Sequence, residues 1–395
     1  MLVSEYKLIT NQDHRERIGE ALRTVQFIRN KALRMWYDDP KQKAYDLNRY
    51  CAVLAKEVSF VTPLNSQARQ AAAERAAYAI SRYLKPGING NLLQKPRFQK
   101  DNRSVEYKQT GWKLSSDRKK ITFTDGIGIG QMKMLGTTSS GDKRDLCSYD
   151  LALVKRVRVL RKADGDYVQF CFDINRSEPQ APTGKTVGLD MGLAKFYTDS
   201  DGSSVDCPKF LRKGEKKIKR AQRKHSRKIQ GSKNRRKSTN RLGRTHLKIA
   251  RQRKDFAVKL ARCVVKSNDF VAIEDLKVRN MVKNHCLAKS ISDAAWSLFA
   301  NWLCYYGSVF GKPVIKVPPA YTSQDCSACG RRVWKSLSTR THSCQCGLVL
   351  DRDHNSGIII LAKGLVLASK LYPGAPENRP FTGETLVESD PLPTL

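Results

Sequence analysis

Acidic residues are scarce in this chain: Asp and Glu number 37 against 73 Lys and Arg, leaving a formal net charge of +36 over 395 residues. A compact enzyme acting on a small metabolite gains nothing from so much self-repulsion, so a merely soluble basic surface is the weaker reading and a large polyanion, nucleic acid, is the natural partner. Long apolar runs are also lacking. Without a stretch of about 18 apolar residues there is no membrane-spanning helix, and no membrane partner is expected. The opening MLVSEYKLITNQDHRERIG has no apolar core of a signal peptide, so a soluble protein of the cytoplasm, associated with the nucleoid, is expected. Clustered cysteines are few. Of eleven, Cys51, Cys147, Cys171, Cys207, Cys263, Cys286 and Cys304 are scattered singly and read as buried or free thiols of a reducing compartment.

The other four lie together. Cys326-x-x-Cys329 and Cys344-x-Cys346 are joined by fourteen basic and polar residues, and four thiolates at this spacing can close a tetrahedral shell around Zn²⁺. Within five residues the chain runs through Leu348-Val349-Leu350 into Asp351-Arg352-Asp353. These carboxylates are hard oxygen ligands that suit Mg²⁺ or Mn²⁺ rather than zinc.

In chain order, Ile18, Leu22, Val25, Ala32 and Trp36 recur at helical spacing over residues 12–36, and the alanine-rich block 66–84 reads as another helix. Both carry basic residues on their polar faces; plain packing helices are one reading, and the charge suggests instead a small helical module that also grips phosphates. Pro and Gly then break the helix and the period falls to two. Val105/Tyr107, Trp112/Leu114 and Ile121/Phe123 alternate, and residues 154–159 and 167–174 flank Asp164-Gly165, a hairpin signal. About 90 residues read as a β-rich module, with Tyr107 and Trp112 more cheaply explained as barrel core than as base-stacking residues.

The second half places acids at the ends of strands. Residues 186–189 form a strand ending in Asp190, Gly192 lets the chain turn, and 196–198 with an Asp201-Gly202 turn complete the start of a ribonuclease-H-type sheet; a turn-capping Asp190 is the plainer alternative. From Lys209 to Lys254, 21 of 46 residues are Lys or Arg and Glu215 is the only acid. Leu211, Ile218, Ala221, His225 and Ile229 make one narrow helical stripe, 231–234 a break, and Leu242, His246, Ile249, Phe256, Leu260 and Cys263 a second. The retained seam argues for a helical hairpin rather than a disordered arm, and its positive outer faces for the wall of a nucleic-acid channel. Residues 270–273 form a strand buried on both faces and closed by Glu274, a costly burial unless the acid pairs, with Lys277 or Arg279, or binds a metal. Trp296, Phe299, Leu303, Tyr306 and Phe310 share one face of a helix over 290–310, with Ser292 as N-cap and Gly311-Lys312-Pro313 as its end, followed by a strand at 314–317. A last helix is opened by Asp353 or Asn355, and residues 372–395, rich in Pro, Gly and acids, read as a disordered tail.

Asp190, Glu274 and Asp353 thus stand at strand ends or a strand-to-helix junction, about 80 residues apart. Brought together in one sheet, they can hold two Mg²⁺ ions about 4 Å apart, one activating a water and one stabilising the leaving 3′ oxygen of an in-line phosphodiester displacement.

In this order GLDMGL, AIEDL, KSISDAAW, PPAYTSQDCSACG and CGLVLDRDHNSG resemble the motifs of the TnpB family, RNA-guided nucleases of insertion sequences, which is similar in turn to compact type V CRISPR effectors. The resemblance is specific over residues 184–361 and loose before them. It implies a multidomain α/β and α+β chain: a wedge-like β-barrel at 1–10 and 95–182 interrupted by a helical recognition module at 11–94, a RuvC-like nuclease domain at 183–320 and 348–371 bearing the basic hairpin 209–266, and an inserted zinc ribbon at 321–347. Its catalytic, metal-holding acids are Asp190, Glu274 and, two residues before Asn355, Asp353, with Asp351 as the second candidate. The implied activity is Mg²⁺-dependent, RNA-guided DNA cutting. The implied partners are a guide RNA transcribed from the element's end, double-stranded target DNA with a short flanking motif, and a transposase encoded nearby. A nuclease-silent guided regulator of transposition, a CRISPR-associated descendant, and an unguided structure-selective nuclease or plain zinc-ribbon DNA-binding protein are the alternatives. Two departures stand out. The second knuckle is Cys-x-Cys where Cys-x-x-Cys is commoner, and Asn-Ser-Gly stands where Asn-Ala-Ala is usual, Gly357 costing the helix about 1 kcal/mol.

Overall fold

The computed structural model describes residues 2–85, 94–136, 146–336 and 338–371, in two units divided after Arg176. The expected tail and the side chain of Cys147 lie outside the described residues.

In the first unit, strand β1 (Leu2–Leu8) leads into α1 (Gln12–Asp38), α2 (Ala44–Glu57) and α3 (Ser66–Leu84). Asn11 starts α1 by accepting the His14 amide at 2.8 Å, while its own amide donates to His14 Nδ1 at 3.3 Å, a reciprocal cap. The expected stripe of α1 is buried, and the alanines of α3 let it pack closely on α1 and α2. The helix α2 was not expected, although Leu47, Cys51 and Leu54 bury one face at helical spacing. Strands β2 (Ser104–Tyr107), β3 (Trp112–Leu114), β4 (Lys120–Phe123), β5 (Gly130–Leu135), β6 (Val154–Lys162) and β7 (Gly165–Phe172) join β1 in one antiparallel sheet of order β2-β6-β7-β1-β5-β4-β3. Strand β5 escaped the sequence reading; its signal was the alternation of buried Met132 and Met134. Helices and sheet share one core, in which Tyr107 is fully buried with its hydroxyl donating to Asp125 at 2.9 Å, and the Trp112 indole donates to the Lys108 carbonyl.

The second unit is built on a five-stranded sheet of order β10-β9-β8-β11-β12. Strands β8 (Thr186–Asp190), β9 (Lys195–Asp199) and β10 (Ser204–Asp206) form an antiparallel meander, and after α4 (Phe210–Ser226) and α5 (Lys233–Ser267) the chain returns as β11 (Phe270–Glu274), parallel to β8. Helices α6 (Val278–Met281), α7 (Ala288–Ala294) and α8 (Trp296–Phe310) precede β12 (Val314–Val317), parallel to β11. This is the ribonuclease-H-type strand order. The hairpin β13 (Thr341–Ser343) and β14 (Val349–Asp351) then delivers the chain to α9 (Arg352–Leu371).

Three local expectations are corrected. Ile229 lies beyond the end of α4 and is 81% exposed, and of the expected α4 stripe only Ile218 is buried. The helix read over 290–310 is two helices separated by Ala295 in the left-handed region (φ 57°), and Ser292 lies inside α7 rather than capping it. Helix α9 begins at Arg352, one residue before Asp353, with Asp351 as its cap. Gly311 (φ 70°) does end α8. Among the described residues no helix is long and apolar enough to cross a membrane.

Helix α9 rides unusually close to the sheet. A Cβ on Gly188 of β8 would stand 2.2 Å from the Gly357 carbonyl oxygen and 2.6 Å from the Leu361 nitrogen, and one on Gly357 would stand 2.8 Å from the Asp199 backbone. Gly357 therefore serves the packing that its weak helix propensity opposes. Gly188→Ala is expected to destabilise the unit by about 1–3 kcal/mol because only backbone can give way. Thermal unfolding should register a loss of roughly 2–4 °C per kcal/mol; an unchanged midpoint would contradict this close seating of α9.

Candidate functional site

Strands β8 and β11 are paired in parallel with Leu189 beside Ile273, so the next residue of each, Asp190 and Glu274, leaves the same end of the sheet. Asp353, in the first turn of α9, reaches the same place: the charges of both Glu274 and Asp353 act on Asp190. Burial first, and then these two like charges, hold the Asp190 carboxyl well above the usual carboxylate range, against the opposing pull of Arg352 and a hydrogen bond from Ser356. Glu274, 8% exposed, is raised by burial, opposed by the Thr322 hydroxyl that donates to it and by Lys363. Its alternative partner Lys277 is turned to Asp275 at 2.8 Å. Asp190 pairs with Thr198 across β8 and β9 and is a sheet residue rather than a turn cap.

The structure gives the two acids of the Asp-Arg-Asp segment different work. Asp351 Oδ1 accepts the backbone N–H groups of Asp353 (2.9 Å) and His354 (3.2 Å), which is the N-cap of α9. Asp353 faces Arg352 (3.3 Å) and Arg340 (3.6 Å). Glu274 and Asp353 thus both stand near enough to Asp190 for their charges to act on it, while among the described residues only the cysteines gather three or more ligand atoms into one close set.

The four cysteines converge as well, with all sulfurs within 4.8 Å of one another. Cys326 and Cys346 Sγ are 3.7 Å apart, Cys329 and Cys344 Sγ 3.6 Å. Zinc with Zn–S bonds of about 2.3 Å in a tetrahedron places its sulfurs about 3.8 Å apart, so the donor set fits, and the shorter Cys-x-Cys knuckle does not prevent closure. Each knuckle turns on a glycine at positive φ, Gly330 (71°) and Gly347 (91°), whose N–H donates back to the carbonyl of Cys326 or Cys344. Desolvation raises the Cys326 thiol, but the backbone N–H groups of Cys329 and Ala328 and a contact from His342 outweigh it and lower it to about 6. The cluster can therefore hold Zn²⁺.

Cluster and acids are mechanically joined by Asn355. Fully buried, it donates to the Asp325 carbonyl (2.9 Å) and accepts from the Ser327 N–H (3.0 Å), tying the first cysteine knuckle to α9 two residues past Asp353. Sequence reasoning assigned no work to Thr322, Ser356 or Asp293. The last was visible only as an acid among apolar neighbours in KSISDAAW. Buried at 4% exposure, its carboxylate accepts the backbone N–H groups of Leu211 and Arg212 at the start of α4 and pairs with Arg253 of α5 at 3.0 Å, anchoring both helices of the basic hairpin.

Residues 169–285 match the family model described as "Probable transposase" (OrfB of IS605), and residues 296–360 match the "Cas12f1-like, TNB domain". A "Putative RNA-guided DNA endonuclease" of Streptomyces pristinaespiralis is 29% identical over 98% of this chain and 95% of its own. The "Putative RNA-guided DNA endonuclease InsQ" of Escherichia coli K12 is 33% identical over 68% of each chain. This chain belongs to the TnpB family. A Cas12f1 chain, solved by cryo-electron microscopy with sgRNA and target DNA, superposes with a TM-score of 0.56 at 14% identity, covering 89% of this TnpB-family chain and 83% of the other, which is a likeness of fold.

Two outcomes are expected. Cys326→Ser should lower both bound zinc and the thermal midpoint; unchanged zinc content by elemental analysis would refute the tetrathiolate. Asp190→Asn should raise the midpoint of the metal-free protein at neutral pH. The folded-state pKa of Asp190 is above its unfolded value near 4, so its charge costs stability above about pH 4 and nothing below, where the carboxyl is protonated in both states. The gain must shrink as pH falls towards 4; a gain independent of pH would show that it does not come from the charge.

Proposed function

We propose that the chain is an RNA-guided DNA endonuclease whose cutting centre is Asp190, Glu274 and Asp353. The observation that carries this reading is that Glu274, from the strand parallel to β8, and Asp353, from the first turn of α9, both act by their charges on buried Asp190. Such a cluster is costly unless cations neutralise it, and its donors are hard oxygens suited to Mg²⁺ or Mn²⁺. Two such ions, when bound, supply an activated water and neutralise the charge that grows on the phosphate and the leaving 3′ oxygen.

The chain's own residues do the rest. Thr322 and Ser356 orient Glu274 and Asp190 by hydrogen bonds, Arg352 and Arg340 steady Asp353, and Asp351 fixes the first turn of α9 on which Asp353 stands. The basic hairpin α4–α5, anchored through Asp293, offers its cationic faces to phosphates, and the cysteine segment, holding zinc, braces α9 through Asn355. In the first unit the sheet takes the part of the wedge and α1–α3 that of the recognition module. The partners proposed are a guide RNA from the element's end and double-stranded DNA with a flanking motif, with a transposase encoded nearby; the nucleoid is the place of action.

The test is to express the protein with its native flanking DNA, sequence the RNA that co-purifies, and incubate the complex with matching plasmids and Mg²⁺. A discrete RNA and guide-dependent, EDTA-sensitive cutting are expected. Asp190→Ala should reduce cutting by more than about 10²–10³-fold while guide and target binding survive. Lost binding would make the acid structural, RNA without cutting in the unaltered protein would point to a guided binder, and no discrete RNA would sink the guided reading.

A further inference from the structure

Residues 94–99 form no helix or strand, yet α1 fixes their backbone at three points. The Asn30 amide pairs both ways with Gln99, donating to its carbonyl at 2.9 Å and accepting its N–H at 2.8 Å. Arg29 donates to the Arg97 carbonyl at 3.3 Å, and the Tyr37 hydroxyl donates to the Pro96 carbonyl. What this clamp positions is Phe98. Its ring packs at a tilt against Tyr37, with centroids 5.5 Å apart, while the side chain as a whole remains 45% exposed. Folding alone does not require a large apolar side chain to be held still in water.

The surroundings indicate what covers it. Phe98 borders an open concavity of about 480 Å³ whose wall is completed by Phe27, Arg23, Lys31 and Arg34 of α1. The Arg34 guanidinium stands 5.8 Å from the Phe98 centroid and Lys31 Nζ 5.6 Å from that of Phe27. Arg34 makes a 3.9 Å ion pair with exposed Asp38; among the described residues Arg23 and Lys31 have no carboxylate partner. Fixed aromatic faces ringed by under-paired cations are complementary to an unpaired base with its flanking phosphates, since stacking accepts any base and the cations take the backbone.

We infer that this concavity binds one unstacked nucleotide of a single-stranded nucleic acid, the base on Phe98 and the phosphates on Arg23, Lys31 and Arg34. The site deepens the reading of the chain as a nucleic-acid-guided protein but does not need the nuclease centre, so it is tested without Mg²⁺, where failure of cutting has no bearing on the result.

The full-length protein, freed of co-purified RNA, is titrated with unstructured hexamers of RNA and of DNA and with a blunt DNA duplex. Phe98→Ala should weaken hexamer binding about 5–100-fold with an unchanged salt slope. Phe98→Trp should retain affinity, which separates stacking from a folding defect. Lys31→Ala with Arg34→Ala should flatten the salt slope by about one to two. Photo-crosslinking of 4-thiouridine or 4-thiothymidine hexamers should label the peptide carrying Phe98. A larger loss with RNA assigns the site to the guide, and with DNA to a strand of the target. Hexamer binding by Phe98→Ala within twofold of the unaltered protein, adducts confined to other peptides, or an equal loss with duplex would each overturn the inference.

Discussion

Three carboxylates that repel one another stay together only where the backbone beneath them cannot yield. In this chain that rigidity comes from the near-contact of α9 with β8 and β9. Gly188 and Gly357 remove the side chains that would hold helix and sheet apart, and Gly364 repeats the arrangement further along, where a Cβ would stand 2.5 Å from that of Ala272. With helix and strands locked at this spacing, the first turn of α9 must lie at the sheet end where Asp190 and Glu274 emerge. The repulsion, which adds to burial in raising the Asp190 carboxyl, is borne by the packing until cations relieve it.

The parts flanking this seam are fixed by single buried polar residues in addition to apolar packing, in which α5 buries Ala257, Ala261, Val264 and Val265. Asp293 gathers the N-terminus of α4 and Arg253 of α5, and Asn355 gathers the first cysteine knuckle. Both are satisfied by two or more partners, which makes such burial favourable; Asp293 takes up free N–H groups at the start of α4, and Asn355 takes up backbone groups of the knuckle loop.

Much of this was legible in the sequence because it departs from local expectation. An acid closing an apolar strand is an anomaly that burial alone does not explain, which exposed Asp190 and Glu274, and paired cysteines in an otherwise scattered set exposed the thiolate cluster. The long apolar stripes of α1 and α8 gave the helices. What escaped lies in tertiary contacts. The stripe over 290–310 runs on through Ala295, so nothing local marks the left-handed break, which costs an ordinary residue about 1–2 kcal/mol and is held by packing on both sides. Asp351 and Asp353 are alike in sequence and part only when one is found accepting helix N–H groups. Gly357 looked like a weakness of the helix until its neighbour, the Asp199 backbone, was in view.

The acidity of Cys326 has a further consequence. Backbone N–H groups of Cys329 and Ala328 favour the Cys326 thiolate, and Cys346, its neighbour at 3.7 Å, is solvent-exposed. A nucleophilic sulfur beside an accessible thiol is the pairing from which disulfides form once a chelator has taken the metal away. Because Asn355 links that knuckle to the helix bearing Asp353, air oxidation of a stripped sample would distort the acid cluster through the backbone, although no carboxylate had been touched.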